Sequence, residues 1–263
     1  MRVENSRDSA APRALAAVTF DVTQTLIHAP DLGRIYLEVL NRHHPPTRTL
    51  RTRDMVREIV WVWKELSCAA DPRRDRFATH PKGARGWWHD FLRRLCRRLD
   101  LAEPSPFAAA ELYDRFAQAE AWQIYPDVWE TLRTLRDHGV RLGVVSNWDE
   151  RLPKLLDRLD LARHFDVVVV SSAVGLEKPN PRIFKHCLEQ LGVEPEEALH
   201  IGDGPIDDVE GAMAAGMRAL RIDRAEPVQL QELVLPLMKA SAGSPRRGSA
   251  PILRPVGGRH VQS

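Results

Sequence analysis

The residues of this sequence that could do chemistry are an aspartate, a serine and a lysine that follow short apolar runs. Asp21 lies in "VTFDVTQTLI", Ser146 and Asn147 end "RLGVVSN", and Lys178 lies in "GLEKPNPRIF". A carboxylate beside a lysine and a hydroxyl suits phosphoryl transfer with the carboxylate as nucleophile. Each residue also has a plainer interpretation, because Asp21 and Ser146 could be turn or cap residues and Lys178 could be exposed.

Further carboxylates follow a second apolar run. Asp203 ends "ALHIGD", and Asp207 and Asp208 come soon after it. Clustered carboxylates raise one another's pKa values unless a cation lies among them, and hard oxygen ligands suit Mg²⁺. The alternative is that Asp207 and Asp208 stabilise a helix N-terminus, where negative charge is favourable. The pattern therefore predicts either a Mg²⁺ site or a capped helix next to Asp203.

The elements that must position these residues alternate along the second half of the chain. Strands are predicted at 141–147, 165–172, 198–203 and 217–223, and amphipathic helices at 127–138, 150–159, 181–191 and 206–215. Several strands are apolar on both faces, as buried parallel strands are. The alternation predicts an α/β fold with a doubly wound, Rossmann-like parallel sheet, and such sheets bind ligands at the carboxyl ends of their strands.

The first predicted strand, at 16–20, is separated from the others by roughly a hundred residues, far more than an ordinary strand-to-helix connection. That interval contains four helical patterns, beginning with "LGRIYLEVLNRH" and ending with "FAAAELYDRFAQAE". We therefore predict an α-helical cap domain at 28–121, inserted after strand 1 into a core formed by 14–27 and 122–240. Residues 1–13 and the Gly-, Pro-, Ser- and Arg-rich tail at 241–263 are predicted to be disordered.

Two groups of cap residues allow two interpretations each. The tryptophans could line a substrate pocket or form the core of a helical bundle, and we favour the core for Trp61, Trp63, Trp87 and Trp88. The arginines could hold an anion or lie on a solvated helix face, and we favour the solvated face for Arg93, Arg94, Arg97 and Arg98.

The composition argues against several classes of protein. The 263 residues include 38 lysines and arginines against 36 aspartates and glutamates, so bulk charge predicts no nucleic-acid partner and no membrane surface. There is no signal-peptide pattern and no run of about 18 apolar residues, which predicts a cytoplasmic protein. Cys68, Cys96 and Cys187 are far apart and are interpreted as small buried residues rather than disulfide or zinc ligands.

Four segments together resemble the motifs of the haloacid dehalogenase-like (HAD) hydrolase superfamily. They are "DVTQTL" from Asp21, Ser146-Asn147, Lys178-Pro179, and Gly202-Asp203 with Asp208, in the superfamily's order and spacing over residues 18–223. The helical insertion looks like the cap of the group with a phosphoglycolate-phosphatase-like layout. The stretches "GWWHDF", "VVSNWDERLPKLL" and "HFDVVVVSSAVGLEKPNPRIF" resemble one branch of that group most closely.

The resemblance implies a role for each matching residue. Asp21 would attack phosphorus and carry an aspartyl-phosphate, with Thr23 and Lys178 completing the catalytic set. The phosphate-binding residues would be Thr25, Ser146, Asn147 through its backbone amide, and Lys178. Mg²⁺ would be held by Asp21, the backbone carbonyl of Thr23, Asp203 and Asp208. The expected partner is a small phosphorylated substrate, and the chain is expected to be a monomer or a homodimer.

The sequence departs from the superfamily's pattern at two positions. Most phosphatases of the superfamily have a second aspartate, the general acid, where this chain has Thr23. General acid-base help is typically worth roughly 10²- to 10⁴-fold in rate, so turnover should be slow. Gln24 replaces a common glycine and would resist a backbone with positive φ.

Two other functions stay open. The chain could be a catalytically weak or inactive binding or scaffold protein, because the acid is missing. It could also be a dehalogenase or phosphonatase-type hydrolase, although dehalogenating relatives lack the "GD" and the trailing aspartates that this chain has. "GDGPID" lacks the third glycine of a dinucleotide-binding motif, and serine-hydrolase and P-loop motifs are absent from the sequence. The candidates for substrate specificity are His28, Arg34 and Trp87.

Overall fold

The central element is a five-stranded parallel sheet, seen in a computed structural model that describes residues 14–43, 49–69, 71 and 73–241. The five strands are β1 (Ala17–Phe20), β4 (Arg141–Ser146), β5 (Val167–Val170), β6 (Ala198–Gly202) and β7 (Arg218–Arg221). They are arranged in the order β5-β4-β1-β6-β7. A separate antiparallel pair, β2 (Ile27–His28) and β3 (Gln123–Ile124), follows the first strand and precedes the return to the sheet.

The first strand lies in the middle of the sheet, between β4 and β6. Phe20 is opposite Val144 on one side and Ile201 on the other. All four residues of β1 are buried, as expected for a strand covered on both faces. Because the three strands are parallel and in register, the residues that follow them meet at one edge of the sheet.

Both faces of the sheet are covered by helices. The core helices are α5 (Val128–Asp137), α6 (Leu152–Arg158), α7 (Ser171–Val174), α8 (Pro181–Leu191), α9 (Gly211–Ala214) and α10 (Leu230–Ser241). One hydrophobic cluster contains Phe20 and Val144 and packs under α5 and α6, and the other contains Val145 and Val169 and packs under α8. The fold class predicted from the alternating pattern is confirmed.

Local sequence explains where α8 begins and ends. The Asn180 side chain accepts a hydrogen bond from the Arg182 amide, and Pro181 occupies the first turn, where its missing N–H costs nothing. Gly192 ends the helix at φ 62°, in the left-handed region that glycine adopts without strain. These signals fix the helix that follows Lys178.

Between β2 and β3 the chain forms helices with their own hydrophobic cluster. They are α1 (Leu32–His43), α2 (Thr52–Ala69), α3 (Gly83–Arg98) and α4 (Pro106–Arg115). Trp63, Trp87 and Trp88 belong to this cluster or pack against it, so the core interpretation is correct for them. It is wrong for Trp61, which is 45% exposed and lies under the Arg98 guanidinium. We call α1–α4 the cap helices.

Two predicted elements differ from the observed ones, and one observed pair of strands was not predicted. Residues 171–172 were predicted as the end of a strand, but they begin α7, where the Ser171 hydroxyl and the Ser172 amide both bond to the Trp148 carbonyl. The helix predicted at 206–215 is a π-helical turn, Pro205–Glu210, followed by the short α9. The β2–β3 pair was not predicted, since two-residue strands leave no periodic signal.

Other expectations have different outcomes. Cys96 and Cys187 are buried free thiols as predicted, whereas the side chain of Cys68 lies outside the described residues. Of the segments predicted to be disordered, 1–13 and 241–263, all residues lie outside the described ones except Ser241, which ends α10, so the prediction is wrong for Ser241. The domain boundaries stay a prediction. Among the helices that the structure describes, none combines the length and apolar character needed to cross a bilayer.

Candidate active site

The predicted nucleophile lies where β1 ends, beside the ends of two other strands. The carboxylate oxygen Oδ1 of Asp21 accepts a hydrogen bond of 2.9 Å from the Ser146 hydroxyl and one of 2.7 Å from the Lys178 ammonium. The Asp21 amide donates to the Ile201 carbonyl on β6, which extends the strand pairing to Asp21. Residues that are 125 and 157 positions from Asp21 in sequence therefore meet at its side chain.

Lys178 lies between two carboxylates. Its Nζ donates to Asp21 Oδ1 and, at 2.5 Å, to Asp208 Oδ1, and the side chain is only 3% exposed. Burial favours a lower pKa for this lysine, but Asp208 and Asp21 outweigh it and raise that pKa above its ordinary value. Lys178 is therefore a fixed cation that serves both acids.

Asn147 positions the lysine rather than facing a ligand with its side chain. Its Oδ1 accepts a 2.7 Å hydrogen bond from the Lys178 amide, and its Nδ2 donates to the Lys178 carbonyl at 3.0 Å. The side chain thus grips the backbone of Lys178 on both sides. Any phosphate-binding role of Asn147 is left to its backbone amide, which is the group that the family resemblance implies.

Three carboxylates are close enough to share a cation. One oxygen from each of Asp21, Asp203 and Asp208 lies within 4.8 Å of the others. Burial, together with Asp21 and Asp208, raises the pKa of Asp203 to about 7. Burial also raises the pKa of Asp21, against the influence of Lys178. Three carboxylates face one lysine, so their negative charge exceeds the positive charge of that lysine. Their hard oxygen atoms suit a divalent cation such as Mg²⁺.

Glycine at position 202 is what allows Asp208 to reach the end of the sheet. A Cβ atom there would lie 2.2 Å from Asp208 Cγ, an impossible contact. The Asp208 carboxylate also accepts a 2.8 Å hydrogen bond from the Gly204 amide. Burial works to raise the pKa of Asp208, but Lys178 and His200 outweigh it and hold that pKa below its ordinary value.

A buried histidine supports Asp208 from inside the sheet. His200 Nε2 lies 3.2 Å from Asp208 Oδ1, and Nδ1 lies 2.8 Å from the Thr19 hydroxyl. Burial lowers the pKa of His200, which favours the neutral ring. A neutral ring that donates to Asp208 through Nε2 must accept the Thr19 proton at Nδ1, so the two contacts define its tautomer.

The loop after Asp21 carries the two departures from the family pattern. Thr23 Oγ1 accepts a 2.9 Å hydrogen bond from the Trp148 indole N–H. Gln24 has φ 63°, so this chain places a glutamine in the left-handed region that was expected to exclude it. Its Oε1 accepts a hydrogen bond from the Tyr125 hydroxyl. The loop therefore adopts a left-handed conformation at position 24 with glutamine in place of glycine.

Thr25 is the innermost residue of that loop. Its side chain is fully buried, and its hydroxyl has no hydrogen-bond partner among the described residues. Its carbonyl accepts a 3.1 Å hydrogen bond from Arg224 Nε, while Arg224 Nη1 contacts Asp127. Arg224, which follows β7 and is 199 residues from Thr25 in sequence, thus holds the backbone of Thr25.

Two contacts join the cap helices to the segments that carry site residues. Arg76, between α2 and α3, donates from Nε to Glu177 Oε2 at 2.7 Å, and neither side chain is more than 8% exposed. Burial raises the pKa of Glu177 to about 7, although Arg76 opposes that shift. The neighbouring Asp75 amide donates to the Gly175 carbonyl. Because Glu177 precedes Lys178 in sequence, this contact is one residue away from the lysine that binds Asp21 and Asp208.

The second contact involves the segment after Ser146-Asn147. Trp88 on α3 donates from its indole N–H to Asp149 Oδ2 at 2.7 Å, and Asp149 also binds the Arg151 guanidinium. Arg151 in turn donates to the Tyr113 carbonyl on α4. A buried polar network therefore links two cap helices to the chain that follows β4.

The three candidates for substrate specificity, His28, Arg34 and Trp87, contact other side chains of the protein. His28 stacks on Tyr125 with ring centroids 4.6 Å apart, and Trp87 packs in the aromatic cluster of the cap. Arg34 is exposed and paired with Asp31 and Glu38 on its own helix or next to it.

The favoured interpretation of the cap arginines, a solvated helix face, is correct for Arg93, Arg94 and Arg98, which pair with Glu103, Glu65 and Glu58.

Several residues of the site were not predicted. Glu177 and Trp148 adjoin predicted residues, so their positions offered a signal, but nothing local distinguishes them from ordinary core side chains. Arg76 had no sequence signal, because its partner is 101 residues away. Thr19 and His200 alternate with apolar residues in buried strands, which is the signal that could have revealed them.

This chain is similar in sequence to hydrolases of a known family. The family model described as haloacid dehalogenase-like hydrolase matches residues 15–216. Haloacid dehalogenase-like hydrolase domain-containing protein 3 of Mus musculus is 37% identical over 147 residues, which are 55% of this chain and 59% of that protein. It is the branch that the three quoted stretches resemble. The chain thus spans less than two thirds of the length of the first curated relatives it matches.

Two further relatives are matched over more of their length. Glyceraldehyde 3-phosphate phosphatase of Methanopyrus kandleri is 39% identical over 224 residues, covering 81% of this chain and 85% of that protein. A crystal structure of a HAD phosphatase from Thermococcus onnurineus is 28% identical with a TM-score of 0.56, covering 85% and 98% of the two chains. Since the family match also includes all the strand ends that carry the site up to Asp208, this chain belongs to the haloacid dehalogenase-like hydrolase family.

Proposed function

We propose that this protein is a Mg²⁺-dependent phosphohydrolase that cleaves a small phosphorylated metabolite through an aspartyl-phosphate on Asp21. The observation that carries the proposal is the Lys178 ammonium, which lies between Asp21 and Asp208 beside Asp203. A buried cation next to a nucleophilic carboxylate and a carboxylate cluster suits a phosphoryl group, which arrives with its own negative charge. The phosphatase names of two relatives point the same way.

The residues of the chain divide the work of the first step. Ser146 and Lys178 both bind Asp21 Oδ1, so Oδ2 is the oxygen that we assign to attack on phosphorus. As the new Asp21–phosphorus bond forms, the bond to the leaving oxygen breaks and its electron pair stays on that oxygen. The Lys178 ammonium has a third N–H for a transferring phosphoryl oxygen, and Ser146 can bind such an oxygen by turning its single hydroxyl proton away from Asp21. The Thr25 hydroxyl, which has no hydrogen-bond partner among the described residues, offers one more donor.

The carboxylates of Asp21, Asp203 and Asp208, with the Thr23 backbone carbonyl, would hold the Mg²⁺ ion. When bound, the ion supplies positive charge that offsets the phosphoryl oxygens and the crowded carboxylates. Burial raises the pKa of both Asp21 and Asp208 and Lys178 opposes it, with a net shift upward at Asp21 and downward at Asp208. The carboxylate set also distinguishes this proposal from C–halogen cleavage, which requires no cation.

The second step is the weak point of the proposed enzyme. Water must cleave the aspartyl-phosphate to regenerate Asp21 and release inorganic phosphate. A carboxylate two residues after the nucleophile would remove the proton of that water, but Thr23 offers only a hydroxyl whose oxygen is bonded to Trp148. We therefore propose slow turnover, lower by up to roughly 10²- to 10⁴-fold than with an acid-base group.

The test is a phosphate-release assay with acetyl phosphate, p-nitrophenyl phosphate and a panel of phosphomonoesters, with Mg²⁺ or with EDTA. The proposal predicts release that requires Mg²⁺, is lost in Asp21→Asn and is kept in Asp157→Asn, a matched change at an exposed residue of α6. Equal rates in wild type and Asp21→Asn would contradict it. Mg²⁺ binding by calorimetry, without turnover or phosphorylated protein, would instead support the binding or scaffold function.

A further inference from the structure

The contact between Trp148 and Thr23 defines which way the threonine hydroxyl can donate. Trp148 Nε1 and Thr23 Oγ1 are 2.9 Å apart. An indole N–H can only donate, so Thr23 Oγ1 is the acceptor in this bond. The hydroxyl proton of Thr23 is consequently directed away from Trp148, to another acceptor.

The indole of Trp148 is held from several sides. Its backbone amide donates to the Ser146 carbonyl at 3.0 Å, and its carbonyl accepts from the Ser171 hydroxyl at 3.1 Å. Its ring packs against Trp122 with centroids 5.4 Å apart. Because backbone and ring are both fixed, the direction of the N–H is a property of the fold rather than of a free surface rotamer.

The acceptor is held as firmly as the donor. The amide of Gln24, next to Thr23, donates to the Ile27 carbonyl at 2.7 Å, which closes the loop on itself. The Gln24 side chain is tied to Tyr125, and Thr23 forms an isolated bridge with Ile27. These contacts fix the backbone of Thr23, and the bond from Trp148 is the contact that selects the orientation of its hydroxyl.

We propose that Trp148 is a positioning residue that orients the Thr23 hydroxyl as a hydrogen-bond donor to the leaving oxygen of the substrate. This inference rests on the proposed function and deepens it by naming a substrate class. Thr23 donates a hydrogen bond but keeps its proton, so the leaving oxygen departs as an anion. Such a site favours acyl phosphates, whose leaving group is a stable carboxylate, over alkyl phosphates, whose leaving group is a strongly basic alkoxide.

The contact can be tested with Trp148→Phe, Thr23→Val and the double variant on acetyl phosphate and a series of aryl phosphates with increasingly basic leaving groups. The quantity to compare is kcat/KM, which reports formation of the aspartyl-phosphate, because its hydrolysis is the proposed slow step of turnover. Wild-type kcat/KM should fall as the leaving group becomes more basic, and both single variants should show a steeper fall. We expect a loss of roughly 3- to 10-fold with the most basic aryl group, the scale of one hydrogen bond, and a smaller loss with acetyl phosphate. The double variant should be no worse than Thr23→Val.

Two controls separate this role from a structural one. Thr23→Ser restores the hydroxyl and should recover more than half of the loss in Thr23→Val, and Trp61→Phe makes the same ring change on the exposed surface of α2 without altering the rates. Equal losses on every leaving group, or additive losses in the double variant, would overturn the inference alone. A wild type that uses none of these phosphates would overturn the proposed function and the inference with it.

Discussion

Charged side chains are arranged in opposite ways at the sheet edge and on the cap helices. At the edge, Lys178, Asp21 and Asp208 are buried, and one ammonium serves two carboxylates. On the cap, arginines and acids form pairs at the surface, such as Arg93–Glu103 and Arg94–Glu65. At the sheet edge, the positive charge of Lys178 does not balance the negative charge of the carboxylates around it. On the cap helices and the loops next to them, the ion pairs are exposed, so water screens them.

The difference indicates what each region contributes. Exposed ion pairs typically add about 0–1 kcal/mol to stability, so the cap depends on its aromatic and aliphatic cluster instead. Buried charges are costly unless they are paired, so a carboxylate cluster at the sheet edge is a poor choice for stability and a good one for binding a cation and an anion. Arg76 is an exception, because it is a cap arginine that is buried against the core.

The largest effect is expected from Lys178→Met, which removes the cation of the sheet edge. Turnover should fall by about 10²- to 10³-fold, since the variant loses one preorganised electrostatic group beside the nucleophile. Mg²⁺ should also raise the melting temperature more in this variant than in wild type, because bound cation then offsets carboxylates that have lost their partner. Scanning calorimetry with and without Mg²⁺ checks this, and an equal shift in both proteins would contradict it.

Arg76→Met tests whether the buried cap arginine differs from the exposed ones. Leaving Glu177 buried without its partner should lower the free energy of unfolding by about 3–5 kcal/mol. The matched surface change Arg94→Met should cost less than about 1 kcal/mol. Urea unfolding measures both, and the double variant Arg76→Met/Glu177→Met should recover most of the loss. Similar costs for Arg76→Met and Arg94→Met would show that the buried ion pair contributes no more to stability than the exposed one.

Thr23→Asp adds the carboxyl group that the sheet edge lacks. We expect phosphate release from alkyl phosphates to rise about 10-fold, the lower part of the range for general acid-base catalysis, because the Trp148 N–H that donates to Thr23 can also donate to a carboxylate and favour its ionised form. Steady-state release on a simple alkyl phosphate is the measurement. Thr23→Asn, of similar shape but unable to exchange a proton, is the control, and an equal gain there would contradict an acid-base explanation.

The smallest effect is expected from the backbone of Gln24. Gln24→Gly and Gln24→Ala both lose the hydrogen bond to Tyr125, but only glycine relieves the left-handed conformation. The glycine variant should therefore be more stable than the alanine variant by about 1 kcal/mol. Chemical denaturation of the pair isolates this difference, and equal stabilities would show that the loop is not strained.

The same two regions explain how much could be predicted from sequence. Asp21 and Ser146 end apolar runs, so strand alternation brings them to one edge, where they form a hydrogen bond. Lys178 and Asp208 lie further along the chain after β5 and β6, so their selection depended on the resemblance to the family motifs. The role of Gly202 is also local, because only glycine leaves room for Asp208. These features arise from periodicity and spacing, which a single sequence contains.

The contacts that were missed depend on distant packing. Arg76 meets Glu177 only because the cap folds back on the core, and Trp148 reaches Thr23 across 125 residues. The π-helical turn at Pro205–Glu210 replaces a regular helix, and inside it Asp208 returns to bond the Gly204 amide. Helical periodicity predicts neither feature, since it reports which face is apolar and not how one turn is wound.

The most direct test of the account is chemical identification of the phosphorylated residue. Wild-type protein would be mixed with acetyl phosphate and Mg²⁺ and quenched with borohydride, which reduces an aspartyl-phosphate to homoserine, and the peptides would then be mapped by mass spectrometry. The account predicts homoserine at position 21 in wild type and none in Asp21→Asn. Homoserine at another aspartate, or release of phosphate without any reduced residue, would contradict Asp21 as the nucleophile.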